Sequence, residues 1–194
     1  MQADHEWLAQ RLAALSPHRR GHIHRVTALL VALAERHGLD RQAGWWAGMG
    51  HDLAREMARD ALLAEARRLG LAIGPAEAAE PLLLHGPVAA AWLRERGIGG
   101  SAAWEAIRYH TTAGPGLGPL AKALFIADGV EPGRGEYPGR ADLEALAFRD
   151  LDAAYCAVVA SSAAYLERRG LTRHPDMAAA EAECQAGSGE RRRI

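Results

Sequence analysis

Lysine is almost missing: Lys122 stands alone among 23 basic residues, the rest being arginine. Cations at any functional site must therefore come from guanidinium groups, including where an ammonium would serve, and the two differ in geometry. Cysteine is scarce too. Cys156 and Cys184 share no motif, which leads to the expectation of a disulfide-free cytoplasmic chain. No run of about 18 apolar residues occurs and Met1 to Gln10 has no apolar signal core, so neither a membrane span nor a secretion signal is expected. A net charge of -1 removes the electrostatic reason to expect nucleic acid or an acidic membrane as partner. No segment alternates apolar and polar residues in the manner of a half-buried strand.

What is present is helix. Ala, Leu, Arg and Glu dominate nearly every segment. A length of 194 residues suits one domain with a proper core. The reading is an all-α single-domain bundle with a metal site between its central helices. It has an N-terminal helix over 1–17, a main domain over 18–170, and a C-terminal helix or disordered tail over 171–194. Within the main domain, helices are expected over about 20–37, ending at Gly38, and from a cap at Asp40 to His51. Others are expected over about 59–69, over 87–96, and from a cap at Ser101 to His110. The segment 119–130 is apolar nearly all round and reads as the central buried helix. The stretch 131–139 reads as loop, with helices near 142–148 and 150–169. The last twenty residues look frayed, with Arg191 to Arg193 a solvated tail. Trp45, Trp46, Trp92 and Trp104, at helical spacing among aliphatics, read as core.

Nine histidines are the unusual abundance. His51-Asp52 follows the apolar run 43–49, where an ionised carboxylate is costly unless paired or bound to metal. Asp128 is the one acid in the apolar helix 119–130, and a cation satisfies its charge and several lone pairs at once. His22 shares a helix face with Val26, whereas His24, about 200° round, points outward. His85 ends Leu82-Leu83-Leu84 and precedes Gly86-Pro87. His110 ends a helix before Thr111-Thr112. Each histidine alone suits a hydrogen-bonded core residue, but the series His, His-Asp, His, His, Asp is far more specific than its parts. His5, His18, His37 and His174 lie in polar or terminal stretches and are assigned no role.

That series resembles the HD-domain phosphohydrolases. The wording around it resembles one subgroup, the symmetrical diadenosine tetraphosphate hydrolases. The resemblance is carried by Arg19-x-x-His22, Ala47-Gly48-x-x-His51-Asp52-Leu53-Ala54-Arg55 and Leu84-His85-Gly86-Pro87. It continues through Tyr109-His110-Thr111-Thr112 and Asp128-Gly129-Val130-Glu131-Pro132-Gly133-Arg134. Arg55 stands where the family pattern has lysine, and Ile23-His24 replaces a more usual Thr-Leu.

The resemblance implies hydrolysis of diadenosine tetraphosphate to two ADP by a metal-activated water. It implies one or two ions, iron first, with manganese or another divalent transition metal as alternatives. His22, His51, Asp52 and Asp128 match the metal ligands, with His85 and His110 at a second ion or the bound phosphate. Asp52, Asp128 and His110 are the catalytic candidates. Arg19, Arg55, His85, His110, Thr111 and Arg134 are the candidates for substrate contact. A dinucleoside polyphosphate and ADP are the expected partners, with a homodimer allowed. Tyr109 and Tyr137 are the rings available for an adenine. The alternatives are a related hydrolase of another nucleotide (a nucleoside monophosphate or an alarmone) and a catalytically silent nucleotide-binding module.

Overall fold

One apolar segment organises the chain. The computed structural model describes residues 2–135, 137 and 139–191, with side chains described through 187. Among these residues the elements are α1 (Gln2–Ala13), α2 (Pro17–Arg36), α3 (Arg41–Gly50), α4 (Arg59–Arg68), α5 (Pro75–Ala79) and a 3-10 turn, Pro81–Leu84. There follow α6 (His85–Glu95), α7 (Gly100–Tyr109), α8 (Pro119–Val130), a second 3-10 turn, Pro132–Arg134, α9 (Arg140–Arg149), α10 (Leu151–Arg168) and α11 (Pro175–Arg191). No strand occurs among the described residues, which bears out the all-α reading.

Helix α8 is the expected centre. Pro119 suits its first turn, where a backbone N–H has no helical partner. Leu120, Leu124, Phe125, Ile126 and Val130 are all buried, each contributing about 1.5–3 kcal/mol. Helices α2, α3, α7, α9 and α10 pack around it. Pro132 ends it by restricting Glu131 to extended backbone (φ -56°, ψ 145°).

Helix α2 begins at a cap absent from the sequence reading. Ser16 Oγ accepts from Arg19 N and donates to Glu56 Oε1 at 2.6 Å, tying this end to the segment after His51-Asp52. Asp40 caps α3 as expected, accepting from Gln42 N and Ala43 N. Helices α2 and α3 approach closely at Gly48, where a Cβ would stand 2.7 Å from Thr27 Cα.

Three expectations are corrected. Ser101 does not cap α7; Gly99 (φ +85°) and Gly100 (φ +78°) turn the chain into it through backbone only glycine adopts freely, leaving Ser101 exposed within the helix. The frayed end is instead α11, whose Met177 and Ala180 are buried; residues 192–194, including most of the expected arginine tail, lie outside the described residues. The chain is not disulfide-free, for Cys156 on α10 and Cys184 on α11 are bonded, with Cα atoms 5.4 Å apart across 28 residues. No local motif marks that pair because only the docking of α11 brings it together. Trp46 and Trp92 are buried, whereas Trp45 and Trp104 are half-buried against the core.

Closing a loop of this length constrains the unfolded chain by about 3 kcal/mol. Reduction is therefore expected to lower the unfolding free energy by about 3 kcal/mol, and the urea midpoint with it. An unchanged midpoint in oxidised and reduced samples would mean that α11 undocks without affecting the core.

Candidate metal centre

Three of the four site histidines share one local device. His51, His85 and His110 follow directly on α3, the 3-10 turn 81–84 and α7, each with helical backbone. There the last carbonyls lack helical partners. Each ring donates Nδ1–H to the carbonyl three residues earlier: His51 to Gly48 O (2.7 Å), His85 to Leu82 O (2.5 Å) and His110 to Ile107 O (2.7 Å). Such a bond fixes the tautomer and leaves the Nε2 lone pair to face inward. His22, in the second turn of α2, does the same with a different acceptor, the carboxylate of Glu131 at 3.0 Å.

The four Nε2 atoms converge on Asp52. Its Oδ2 lies 3.5 Å from both His22 Nε2 and His51 Nε2, and its Oδ1 lies 3.2 Å from His85 Nε2 and 3.6 Å from His110 Nε2. One carboxylate thus serves two triads, each with ligand atoms within 4.8 Å of one another. Asp128 Oδ1 borders the first triad, 3.0 Å from His22 Nε2.

Charge explains why these groups suit a cation. His51 Nε2 and His22 Nε2 stand 3.3 Å apart, and His85 Nε2 and His110 Nε2 3.0 Å apart. With every Nδ1 committed as donor, neutral rings at these distances set lone pair against lone pair, which a positive charge between them relieves. Burial pushes His51 down to about 4 and also lowers His85, favouring neutral rings. Burial works against His22 as well, but its hydrogen bonds to Asp128 and Glu131 outweigh that and raise it. Burial likewise opposes ionisation of Asp52 and Asp128, yet the neighbouring imidazoles hold both below the usual carboxylate range, helped at Asp128 by Arg134. Mixed imidazole and carboxylate donors suit a divalent transition ion better than magnesium or calcium, which prefer oxygen alone.

Arginines rim the cluster. Arg19 Nη1 donates to Asp52 Oδ2 at 2.6 Å, while its Nε is buried with no hydrogen-bond partner among the described residues. Arg134 donates through Nη2 to the Asp128 carboxylate and through Nε to Asp128 O at 2.7 Å. Arg55 is half-buried, and burial lowers its pKa against the pull of Asp52. Its backbone N donates to Asp52 O at 3.0 Å, but no described residue hydrogen-bonds or ion-pairs with its guanidinium. Thr111 Oγ1 lies 3.3 Å from His85 Nε2 and 3.1 Å from His110 Nε2.

All of the sequence candidates therefore meet in one place: His22, His51, Asp52, His85, His110, Thr111 and Asp128, with Arg19, Arg55 and Arg134 around them. The two tyrosines are less clearly placed for a nucleobase: the Tyr137 hydroxyl donates to Gly129 O at 3.0 Å, and Tyr109 is half-buried against the core. His24 is exposed, as read, and His37 reaches Ala147 O.

Sequence reasoning missed Glu131 as a participant. It is 1% exposed and accepts from His22 Nδ1, Arg25 Nε (2.6 Å) and Gly133 N (2.6 Å). The available signal was an acid directly after an apolar helix. Gly86 was missed as well: a Cβ there would stand 2.7 Å from Ile107 O and 3.1 Å from His110 Nδ1.

Comparison with known proteins agrees with this geometry. Residues 19–154 match the family described as HD domain. A Bacillus subtilis protein named bis(5'-nucleosyl)-tetraphosphatase, symmetrical, is 32% identical over 84% of this chain and 87% of its own length. Proteins of the same name from Halalkalibacterium halodurans (30%, covering 84% and 86%) and Staphylococcus aureus (34%, covering 72% and 73%) are also similar. A Clostridium acetobutylicum structure, described as a predicted HD superfamily hydrolase involved in NAD metabolism, superposes with a TM-score of 0.86. It is 25% identical, over 94% of this chain and 97% of that one.

Proposed function

This chain belongs to the HD domain family, and from that membership we propose that it is a metal-dependent hydrolase cutting diadenosine tetraphosphate symmetrically into two ADP. The observation that carries the reading is the pair of His/Asp triads sharing Asp52 beneath a rim of three arginines. The three relatives named above supply the substrate class.

His22, His51, Asp52 and Asp128 hold one ion; Asp52, His85 and His110 hold a second. Iron is the first choice for both and manganese the next. A divalent ion held there supplies Lewis acidity toward a phosphoryl oxygen and lowers the pKa of water.

The chain's own groups do the rest. Arg55, its guanidinium without a partner, and Arg19, with its spare Nε, take phosphate oxygens and offset charge developing on the departing ADP. Arg134 can release Asp128 to do the same. The Thr111 hydroxyl orients phosphate beside His85 and His110. Proton transfer falls to Asp128 or His110, and Asp128 is the more accessible, with 16% of its side chain exposed against 2%.

No helix among the described residues is long and apolar enough to cross a membrane. We place the enzyme in the cytoplasm with its nucleotide substrate. The Cys156–Cys184 bond ties α11 to α10, and α11 is docked as well through Met177, Ala180 and the bond from Gly116 N to Glu183 (2.7 Å).

Purified protein loaded with iron or manganese is expected to release ADP as the only nucleotide product of diadenosine tetraphosphate, and a chelator is expected to abolish release. Chromatography separating ATP, ADP and AMP reads the outcome. ATP with AMP overturns symmetrical cleavage, and no turnover with either metal overturns the substrate.

A further inference from the structure

The two triads share a carboxylate but differ in what stands behind their imidazoles. His51, His85 and His110 donate Nδ1–H to neutral carbonyls, of Gly48, Leu82 and Ile107. His22 alone donates to a carboxylate, that of Glu131. A negative acceptor pulls harder on the N–H and makes the opposite nitrogen a stronger donor to a cation. The side of His22 and His51 also has Asp128 beside it, a second carboxylate. The side of His85 and His110 has only its share of Asp52.

Resting on the metal-centre reading above, we propose that the two half-sites are unequal by construction. The His22 half binds its ion first and more tightly, and Glu131 is the positioning residue responsible. Four donors from three residues hold the Glu131 carboxylate: His22 Nδ1, Arg25 Nε and Nη2, and Gly133 N. Its side chain is 2% exposed, so it has nowhere to turn. A Cβ on residue 133 would lie 2.1 Å from Arg25 Nη2, so the turn after α8 leaves room for the guanidinium that braces Glu131 only because residue 133 is glycine.

An opposing influence lies on the same half. Arg19 bonds Asp52 Oδ2, and Arg134 bonds Asp128. Both guanidinium groups are partly exposed, with side chains 21% and 44% accessible. They can swing toward a phosphate and release those oxygens, whereas Glu131 cannot leave His22. With metal scarce, the chain holds one ion at His22, and turnover follows occupancy of the His85 half.

The test is a calorimetric titration of metal-free protein with Mn2+, with electron paramagnetic resonance following the lone ion and then the coupled pair. Wild type is expected to bind in two steps, the first at least about tenfold tighter. Glu131→Gln is expected to weaken binding at the His22 half by about 10–100-fold, so that one equivalent of Mn2+ spreads to, or moves to, the His85 half. A variant that still loads the His22 half first with wild-type affinity overturns the role of Glu131. A second measurement does not depend on the variant folding: anomalous diffraction from crystals of wild-type protein given one equivalent of Mn2+. Density beside His22 and His51 supports the inequality, and density beside His85 and His110 overturns it. Wild type that binds no ion at all would overturn the metal-centre reading itself, an outcome distinct from two equal steps.

Discussion

Asp52→Asn is expected to lower turnover on the order of a thousandfold or more and also to lower the stability of the metal-free protein, by about 1–3 kcal/mol. The two effects have separate causes because Asp52 has two different jobs. As a ligand it offers one oxygen to each triad, and an amide can offer an oxygen to only one of them. As a buried ion it is costly on its own, and the cost is offset by Arg19 Nη1, which donates to Oδ2 at 2.6 Å beside the four imidazoles. An amide placed there carries no charge, so the charge-assisted bond from Arg19 weakens and the partly buried guanidinium loses its counter-ion. Metal content and thermal melting, measured on the same preparation, check this: at most one ion per chain, and a melting temperature below that of metal-free wild type. Two ions retained with normal turnover would remove Asp52 from the centre of the site.

Gly86→Ala is expected to cost roughly 1–3 kcal/mol of stability and to empty the His85 half. The added methyl would meet Ile107 O at 2.7 Å and Arg108 O at 3.2 Å, both backbone atoms of α7 that cannot turn aside. Helix α6 must then move off α7. The Ile107 carbonyl is also the acceptor that aims His110, so the displacement is felt at the ligand as well as in the packing. Urea denaturation and metal counting read the two consequences. Wild-type stability with two ions would show that α6 and α7 meet more loosely than these distances state.

Much of the centre was legible in the chain because burial forced the issue. A lone carboxylate in the apolar helix 119–130 had to have a cationic partner, and His51-Asp52 after 43–49 posed the same demand. The caps at Asp40 and Gly38 were legible because they are local. What stayed hidden depended on distance. His22 and Glu131 are 109 residues apart, and nothing within a helical window relates them. Cys156 and Cys184 meet only because α11 docks on α10. Ser101 misled because a good capping residue stood near a helix start, while two glycines with positive φ had already made the turn. Gly86 was read only as the residue before the helix start at Pro87, when its role is to let two backbones touch.

The repeated use of a carbonyl three residues back has a consequence for how the site comes into being. For His51, His85 and His110, ring orientation is settled inside a single turn, by contacts of minimal sequence separation. Such contacts form early and quickly, whereas the convergence on Asp52 spans tens of residues and waits for the helices to assemble. Three ligands can therefore arrive already aimed, and assembly has only to bring helix ends together. His22 is the exception. Its aim depends on Glu131, on the far side of α8, so the half of the centre with the strongest backing is the last to acquire its final orientation.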